Sequence, residues 1–113
     1  MPEIISNFKI TGYGSYLPPK IQTSKNLSQI IDKSEDWIIT HTGVYERRVS
    51  DIDVDQMGAI AAKEAIGDKP SPDLIINASG VPKQTLPDTS VFIQKELGFD
   101  GIASFSIHST CLS

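Results

Sequence analysis

The chain has 113 residues, 39% of them hydrophobic and 21% charged, a globular composition that excludes the disordered and collagen-like classes. This length limits it to a single domain, residues 1–113. Ten Lys and Arg against fourteen Asp and Glu give a net charge of −4, which argues against general nucleic-acid binding, since that function requires a basic surface.

Cysteine content and hydropathy indicate the compartment. A single cysteine permits no internal disulfide, which is typical of a reducing environment. The N-terminus lacks the apolar segment of a secretory signal, and no apolar run approaches the roughly 18 residues of a membrane helix. One cysteine and two histidines show no metal-ligand spacing. We therefore expect a cytoplasmic protein with no metal and no membrane partner.

The first third of the chain predicts one strand and two helices. Residues Asn7–Tyr13 suggest a strand, and its two glycines suggest close approach of another backbone. Thr23 or Ser24 would cap a short helix over 25–31. Ser34 would cap a second helix that carries Trp37 and ends near Gly43, whereas 44–51 suggests a loop or a short hairpin.

The remaining elements alternate between helix and strand. Helices are predicted over Val54–Ile66, capped by Asp53 or Asp55, and over Asp88–Leu97. Buried strands are predicted at Leu74–Ile76 and Ile102–His108. The expected inward-facing residues are Met57, Ile60, Ala61 and Ala65 on the first helix and Val91, Phe92 and Leu97 on the second.

This alternation predicts an α/β layered fold with parallel strands and right-handed crossovers. In such sheets function gathers at the carboxyl ends of the strands. Here those ends are 77–80 and 108–111, so the pattern by itself indicates a site there.

Cys111 is the candidate nucleophile at one of these ends. A lone cysteine is most often a small buried apolar residue. However, it follows a strand and would stand at the start of any following helix, where the thiolate form is favoured and backbone N–H groups can stabilise an oxyanion. This placement suits acyl transfer through a thioester. His108 is the only nearby candidate base, but an odd spacing along a strand would put it on the opposite face.

Four stretches in order resemble the N-terminal part of the β-ketoacyl-(acyl-carrier-protein) synthase III family, the thiolase-fold condensing enzymes. They are Ile10–Pro18, Ser34–Arg48, the helix from Leu86-Pro87 to Gly98, and the strand that ends at Cys111. The resemblance implies a thiolase-like layered fold of which this chain contains an incomplete first half. It also implies an acyltransferase of fatty-acid or related biosynthesis, with no permanently bound cofactor because coenzyme A enters as the substrate thioester.

The resemblance assigns roles residue by residue. Cys111 corresponds to the acyl-accepting nucleophile, and Trp37 to a tryptophan that stacks on the adenine of coenzyme A. Leu86 corresponds to a residue that reaches across the dimer and closes the partner's acyl pocket. His41 stands where the family commonly has an arginine for coenzyme A, and Lys33 beside it would partly restore the positive charge.

The family's catalytic His and Asn lie in its second half, beyond the residues that this sequence matches. The resemblance therefore implies a complementary C-terminal chain or segment, an acyl carrier protein as partner, and a homodimer of complete protomers. The isolated 113 residues are not expected to be catalytically competent.

Two other interpretations stay open. The chain could be a non-catalytic fragment that binds coenzyme A, an acyl carrier or a synthase partner, which predicts affinity without thiol reactivity. It could instead be an unrelated thiol hydrolase, which requires a base close to Cys111 and a fast-alkylating thiol in the isolated chain.

Overall fold

The computed structural model describes residues 8–112, which form two compact units. One unit is Leu17–Asp53, and the other contains the described residues of Met1–Tyr16 and Val54–Ser113.

The Leu17–Asp53 unit joins a two-stranded antiparallel sheet to two short helices. Strand β1 (Lys20–Thr23) pairs with β2 (Glu46–Val49), with Lys20 opposite Val49 and Thr23 opposite Glu46. Helix α1 (Ser24–Ser28) follows β1 directly and begins with a capping box between Thr23 and Asn26. Thr23 was one of the two predicted caps, and this helix ends earlier than predicted.

Helix α2 (Glu35–Thr42) has the boundaries that its end signals predict. The Ser34 hydroxyl accepts the Trp37 N–H at 3.1 Å, and two acidic residues occupy the first turn, where the helix dipole favours them. Gly43 ends the helix with φ +67°, a conformation that costs a glycine little. Ile38, on the inner face, is one of the few fully buried apolar side chains among the described residues.

The prediction for residues 44–51 was incomplete. The segment is neither a loop nor a local hairpin, since β2 pairs with β1, which lies more than twenty residues earlier in the chain. Strand β1 itself was not predicted. Three of its four side chains are polar and it follows two prolines, so no alternation of apolar residues marks it.

The second unit is a β-α-β arrangement with an added helix. Strand β3 (Leu74–Ala78) lies parallel to β4 (Ala103–Ile107), with Leu74 opposite Ala103 and Ala78 opposite Ile107. Helix α4 (Thr89–Leu97) connects them, contacts both strands and packs against helix α3 (Val54–Ile66). The parallel pairing confirms the α/β prediction. A single 3₁₀ turn, Thr110–Leu112, follows β4.

The packing between α3 and α4 uses residues other than those predicted. Ala59 and Ile93 are buried at this contact, and a Cβ added to Gly58 would come within 3.1 Å of the Ile93 side chain. Ile60 and Val91, which were predicted to face inward, are exposed. The glycine and alanine let the two helices approach closely, so the contact face is set by small residues rather than by the largest apolar ones.

The prediction of a strand near the start of the chain was wrong, and one of the two predicted caps of α3 is excluded. Residues 8–13 form no strand, because they pair with no other strand of the described chain (Asn7 lies outside it). The segment lies instead against α3, and a Cβ added to Gly12 or Gly14 would fall 2.1 Å from a helix carbonyl oxygen. The predicted close backbone approach is therefore confirmed. Asp55 is not a cap, since it is buried in the first turn of α3 and pairs with Lys83.

Strands β3 and β4 are less buried than predicted. Their exposed side chains alternate with partly buried ones, so in the described residues one face of the sheet is covered, by α4, and the other is open. The exposed apolar side chains on alternating positions are Leu74, Ile76, Phe105 and Ile107.

Candidate active site

Trp37, His41 and Lys33 come together on the surface of the Leu17–Asp53 unit. The two rings are one helical turn apart on α2, which places them on the same face. Their centroids are 4.2 Å apart, with 21° between the ring planes, and the Lys33 Nζ lies 5.0 Å from the Trp37 ring centroid. We call these three residues the aromatic platform.

The aromatic platform is held by the helix that carries it. The His41 Nδ1 lies 2.8 Å from the Trp37 carbonyl oxygen, which fixes the imidazole over the indole. The Ser34 cap secures the Trp37 N–H at the other end of the helix. An aromatic surface with a cation beside it can stack on a planar heterocycle and attract an anionic group. The Trp37 side chain is 41% exposed, so its ring is accessible to such a ligand.

Cys111 lies in the second unit, beyond the end of β4. The strand ends at Ile107, and Cys111 is the middle residue of the 3₁₀ turn, with its side chain exposed. Thr110, just before it, has φ +52°, an uncommon backbone conformation for a residue other than glycine. Because both His108 and Cys111 lie after the strand, the predicted placement on opposite faces of a strand does not apply to them.

A cavity of about 240 Å³ lies at the carboxyl ends of β3 and β4, where the strand topology predicts a site. It is lined by side chains from both strand ends and from the segment between β3 and α4. The lining residues are Asn77, Ser79, Pro82, Gln84, Thr85, Asp88, Thr89, Ser106 and His108.

A hydrogen-bond network centred on Asp88 stabilises one wall of this cavity. One carboxylate oxygen accepts bonds from the Ser90 N–H, at 2.8 Å, from the Ser90 hydroxyl, and from the Ser106 hydroxyl, at 2.8 Å. Asn77 donates in turn to the Ser106 hydroxyl. The bond from Ser90 and then that from Ser106 hold the pKa of Asp88 below its ordinary value, because they favour the charged form.

Sequence reasoning missed this network, although a signal for it exists. Ser104 and Ser106 occupy alternate positions of an apolar strand and therefore share a face. Each meets a polar residue of the α4 region, Ser104 donating to Gln94 and Ser106 to Asp88. Two hydroxyl side chains at alternate positions of a strand, opposite a helix with polar residues, would have indicated the network.

Leu86 is exposed, at 81%, and the Leu86-Pro87 peptide bond is cis. Residues 8–112 contain no group of three or more His, Cys, Asp and Glu side chains arranged to hold a metal ion. In that same range, no helix is both long and apolar enough to cross a bilayer.

Comparison with known proteins shows what this arrangement resembles. No family model matches the chain. A β-ketoacyl-[acyl-carrier-protein] synthase III of Clostridium botulinum is 40% identical over 112 residues, covering 95% of this chain and 34% of that protein. Synthase III 2 of Vibrio vulnificus (strain YJ016) is 34% identical over 107 residues, covering 91% of this chain and 30% of that protein.

Solved structures give the same result. The 3-oxoacyl-[acyl-carrier-protein] synthase III of Aquifex aeolicus superposes with a TM-score of 0.82 at 37% identity, covering 91% of this chain and 35% of that one. The priming β-ketosynthase of the R1128 polyketide pathway gives a TM-score of 0.77 at 30% identity, covering 89% and 32%.

The fold is therefore the thiolase-like fold of the condensing enzymes. Within that class, sequence and structure together identify the chain as homologous to the N-terminal portion of β-ketoacyl-[acyl-carrier-protein] synthase III. The chain spans about a third of the length of the curated relatives it matches.

Proposed function

We propose that this chain is part of an acyltransferase of the synthase III type, in which Cys111 accepts an acyl group from acyl-coenzyme A. The observation that carries the proposal is the position of Cys111, exposed just beyond β4 in a fold homologous to synthase III. Its place at the carboxyl end of a parallel strand is where α/β enzymes gather their reactive groups.

The proposed reaction has two halves. In the first, the Cys111 thiolate attacks the thioester carbonyl, a bond forms between its Sγ and the acyl carbon, and coenzyme A leaves as the thiol after taking a proton. In the second, a malonyl-carrier thioester loses carbon dioxide, and the resulting carbanion attacks the acyl carbon. A carbon–carbon bond forms, the bond to Sγ breaks, and the thiolate is restored with the chain extended by two carbons.

Two components of this mechanism are proposed to come from outside the described residues. Backbone N–H groups near the start of the segment that follows Cys111 would stabilise the oxyanion. A His and an Asn from a complementary C-terminal segment would polarise the malonyl thioester. This requirement is consistent with the match to about a third of each relative.

The aromatic platform is the proposed docking point for coenzyme A. Trp37 would stack on the adenine, and Lys33 would attract a phosphate, since its ammonium already lies over the same ring system. His41 offers less than an arginine would, because one ring nitrogen is engaged by the Trp37 carbonyl and an imidazole lacks the arginine fork. The remaining proposed partners are an acyl carrier protein and a second complete protomer, with Leu86 at the acyl pocket of the partner.

The test is a condensation assay on the enzyme in its complete assembly, with acyl-coenzyme A and malonyl-carrier as substrates and mass analysis of the product. The wild type should form a β-ketoacyl-carrier product two carbons longer than the donor acyl group. Cys111→Ala should form none while it keeps the wild-type circular dichroism. If the assembly binds coenzyme A but forms no product and no acyl-enzyme, the chain is a non-catalytic binding fragment and the proposal is wrong.

A further inference from the structure

Asp55 is a buried carboxylate that forms an ion pair with a lysine. Its side chain is 1% exposed in the first turn of α3, and its Oδ2 lies 2.8 Å from the Lys83 Nζ. Its other oxygen, Oδ1, is buried and has no hydrogen-bond partner among the described residues. A buried charge is costly unless it is paired, so Lys83 supplies the compensation that this carboxylate needs.

Lys83 is in turn held from several directions. Its side chain is only 28% exposed, and its ammonium lies 5.2 Å from the centroid of the Phe92 ring of α4. Its backbone N–H donates to the Thr89 hydroxyl, at 2.9 Å, at the start of α4. This residue therefore connects the segment between β3 and α4 to both neighbouring helices.

The residues on either side of Lys83 line the cavity at the strand ends. We call 79–88 the cavity loop, since Pro82, Gln84 and Thr85 contribute to the cavity wall. Across the cavity, the loop meets the strand end closely, because a Cβ added to Gly80 would come within 3.2 Å of the His108 ring. The chain on both sides of Lys83 thus faces the cavity, while the Lys83 side chain reaches to α3.

We propose that the Lys83–Asp55 ion pair is a positioning device that fixes the cavity loop and so determines which acyl groups the cavity accepts. This inference rests on the proposed acyltransferase function. At its end the loop is also held to β4, because Asp88 accepts a bond from the Ser106 hydroxyl, while hydrogen bonds earlier in the loop, such as the pair between Ser79 and Val81, are short-range. The ion pair is therefore the attachment that links the loop to a distant helix, and releasing it moves the wall at Pro82, Gln84 and Thr85.

The first experiment uses Lys83→Met in the complete enzyme, because methionine keeps an apolar stem against Phe92 and removes the charge. Amide hydrogen exchange in residues 79–88 should accelerate. The ratio of kcat/KM between a short and a longer acyl-coenzyme A should change by roughly ten-fold, the discrimination that about one methylene gives in a pocket. The matched control is Lys63→Met, an exposed lysine on α3, which should change neither quantity.

A second variant keeps the test decisive if the unpaired carboxylate prevents Lys83→Met from folding. The double variant Asp55→Asn/Lys83→Met has no buried charge left, but it has no ion pair either. It should show the same faster loop exchange and the same altered donor ratio, because removal of both partners releases the loop as removal of one does.

Two results would overturn the proposal. Wild-type exchange in residues 79–88 in the double variant would show that the ion pair does not fix the loop. Faster exchange with an unchanged donor ratio would show that the loop does not determine specificity. Absence of turnover in the wild type with every donor is a separate result, which refutes the proposed function and, with it, the specificity role.

Discussion

At the scale of single residues, the aromatic platform combines two stacked rings with a neighbouring cation. His41 stacks on Trp37 and places one ring nitrogen against a backbone carbonyl. The residue thus contributes surface and shape, while the positive charge near the ring comes from Lys33. The aromatic platform therefore presents two stacked rings with the compact cation of Lys33 beside them.

The first prediction concerns His41→Arg. A guanidinium can stack on the indole and also present forked donors to a phosphate, so coenzyme A should bind more tightly, by roughly three- to ten-fold. Isothermal titration with coenzyme A measures this change. His41→Gln is the control, because a neutral amide adds no charge and should not tighten binding. Unchanged or weaker binding by the arginine variant would place the nucleotide elsewhere.

Asp88 shows a second residue-scale effect, in which a local network has a consequence that depends on pH. Its carboxylate caps α4 and accepts bonds from Ser90 and Ser106, so the charged form is stabilised in the folded state. The pKa of Asp88 is therefore lower when folded than the ordinary 3.8 of the unfolded chain. The stability that it contributes is present above that ordinary value and is lost as the pH falls through the lower, folded one.

The second prediction follows from this sign. The free energy of unfolding of the wild type should fall more steeply below about pH 4 than that of Asp88→Asn, since asparagine still caps a helix but does not titrate. Urea unfolding at a series of pH values from about 6 to about 2.5 gives both curves. Parallel curves across the acid range would refute the role assigned to the network.

At the scale of elements, helix α3 makes two close contacts that depend on small residues, one with α4 and one with the N-terminal segment. Gly58 and Ala59 admit α4 on one face. On another, Gly12 and Gly14 of the N-terminal segment touch its backbone, and the Ser15 N–H donates to Glu64 at 2.8 Å. The segment 8–16 therefore docks on a helix through positions where no side chain fits.

The third prediction is that Gly14→Ala destabilises this contact by about 1–3 kcal/mol, the usual cost of overpacking. The new methyl group would lie 2.1 Å from the Ala61 carbonyl oxygen and 2.7 Å from the Ala65 nitrogen, which are backbone atoms that cannot rotate away. Chemical unfolding measures the loss. Tyr13→Ala is the matched control, because that side chain is 89% exposed and its removal should be nearly neutral. Equal stability of the two variants would contradict the docking.

Elements with strong local signals could be predicted from the sequence, and those that depend on distant partners could not. Helix α2 has a serine cap, an acidic first turn and a terminal glycine, and each lies where predicted. Strand β1 and its pairing with β2 were missed, since a four-residue strand with a single apolar side chain shows no alternation. Residues 8–13 were misread as a strand because their glycines contact a helix and not another strand.

The same distinction between local signals and distant contacts applies to the candidate site. Trp37 and His41 were assigned to coenzyme A by the resemblance alone, and in the structure their rings stack on one face of α2. The strand topology indicated the edge where the cavity lies. The Lys83–Asp55 pair could not be foreseen, since it joins residues 28 apart through packing that no local pattern encodes. The roles of Cys111, Trp37, His41, Lys33 and Leu86 stay predictions.

At the scale of the whole molecule, the homology and the position of Cys111 both support the proposed function. The fold matches the synthase III of Aquifex aeolicus and the R1128 priming β-ketosynthase over about nine-tenths of the chain. The unit Leu17–Asp53 carries the aromatic platform, and the other unit carries Cys111, the cavity and its loop. The central proposal is that Cys111 accepts an acyl group from an acyl-coenzyme A thioester.

The most direct test is intact-mass analysis of the complete enzyme after incubation with acyl-coenzyme A alone, followed by peptide mapping. The account predicts one acyl group per active chain, located on the peptide that contains Cys111, and none on Cys111→Ala. Stoichiometric acylation of the alanine variant, or a wild type that binds coenzyme A and is never acylated, would contradict it.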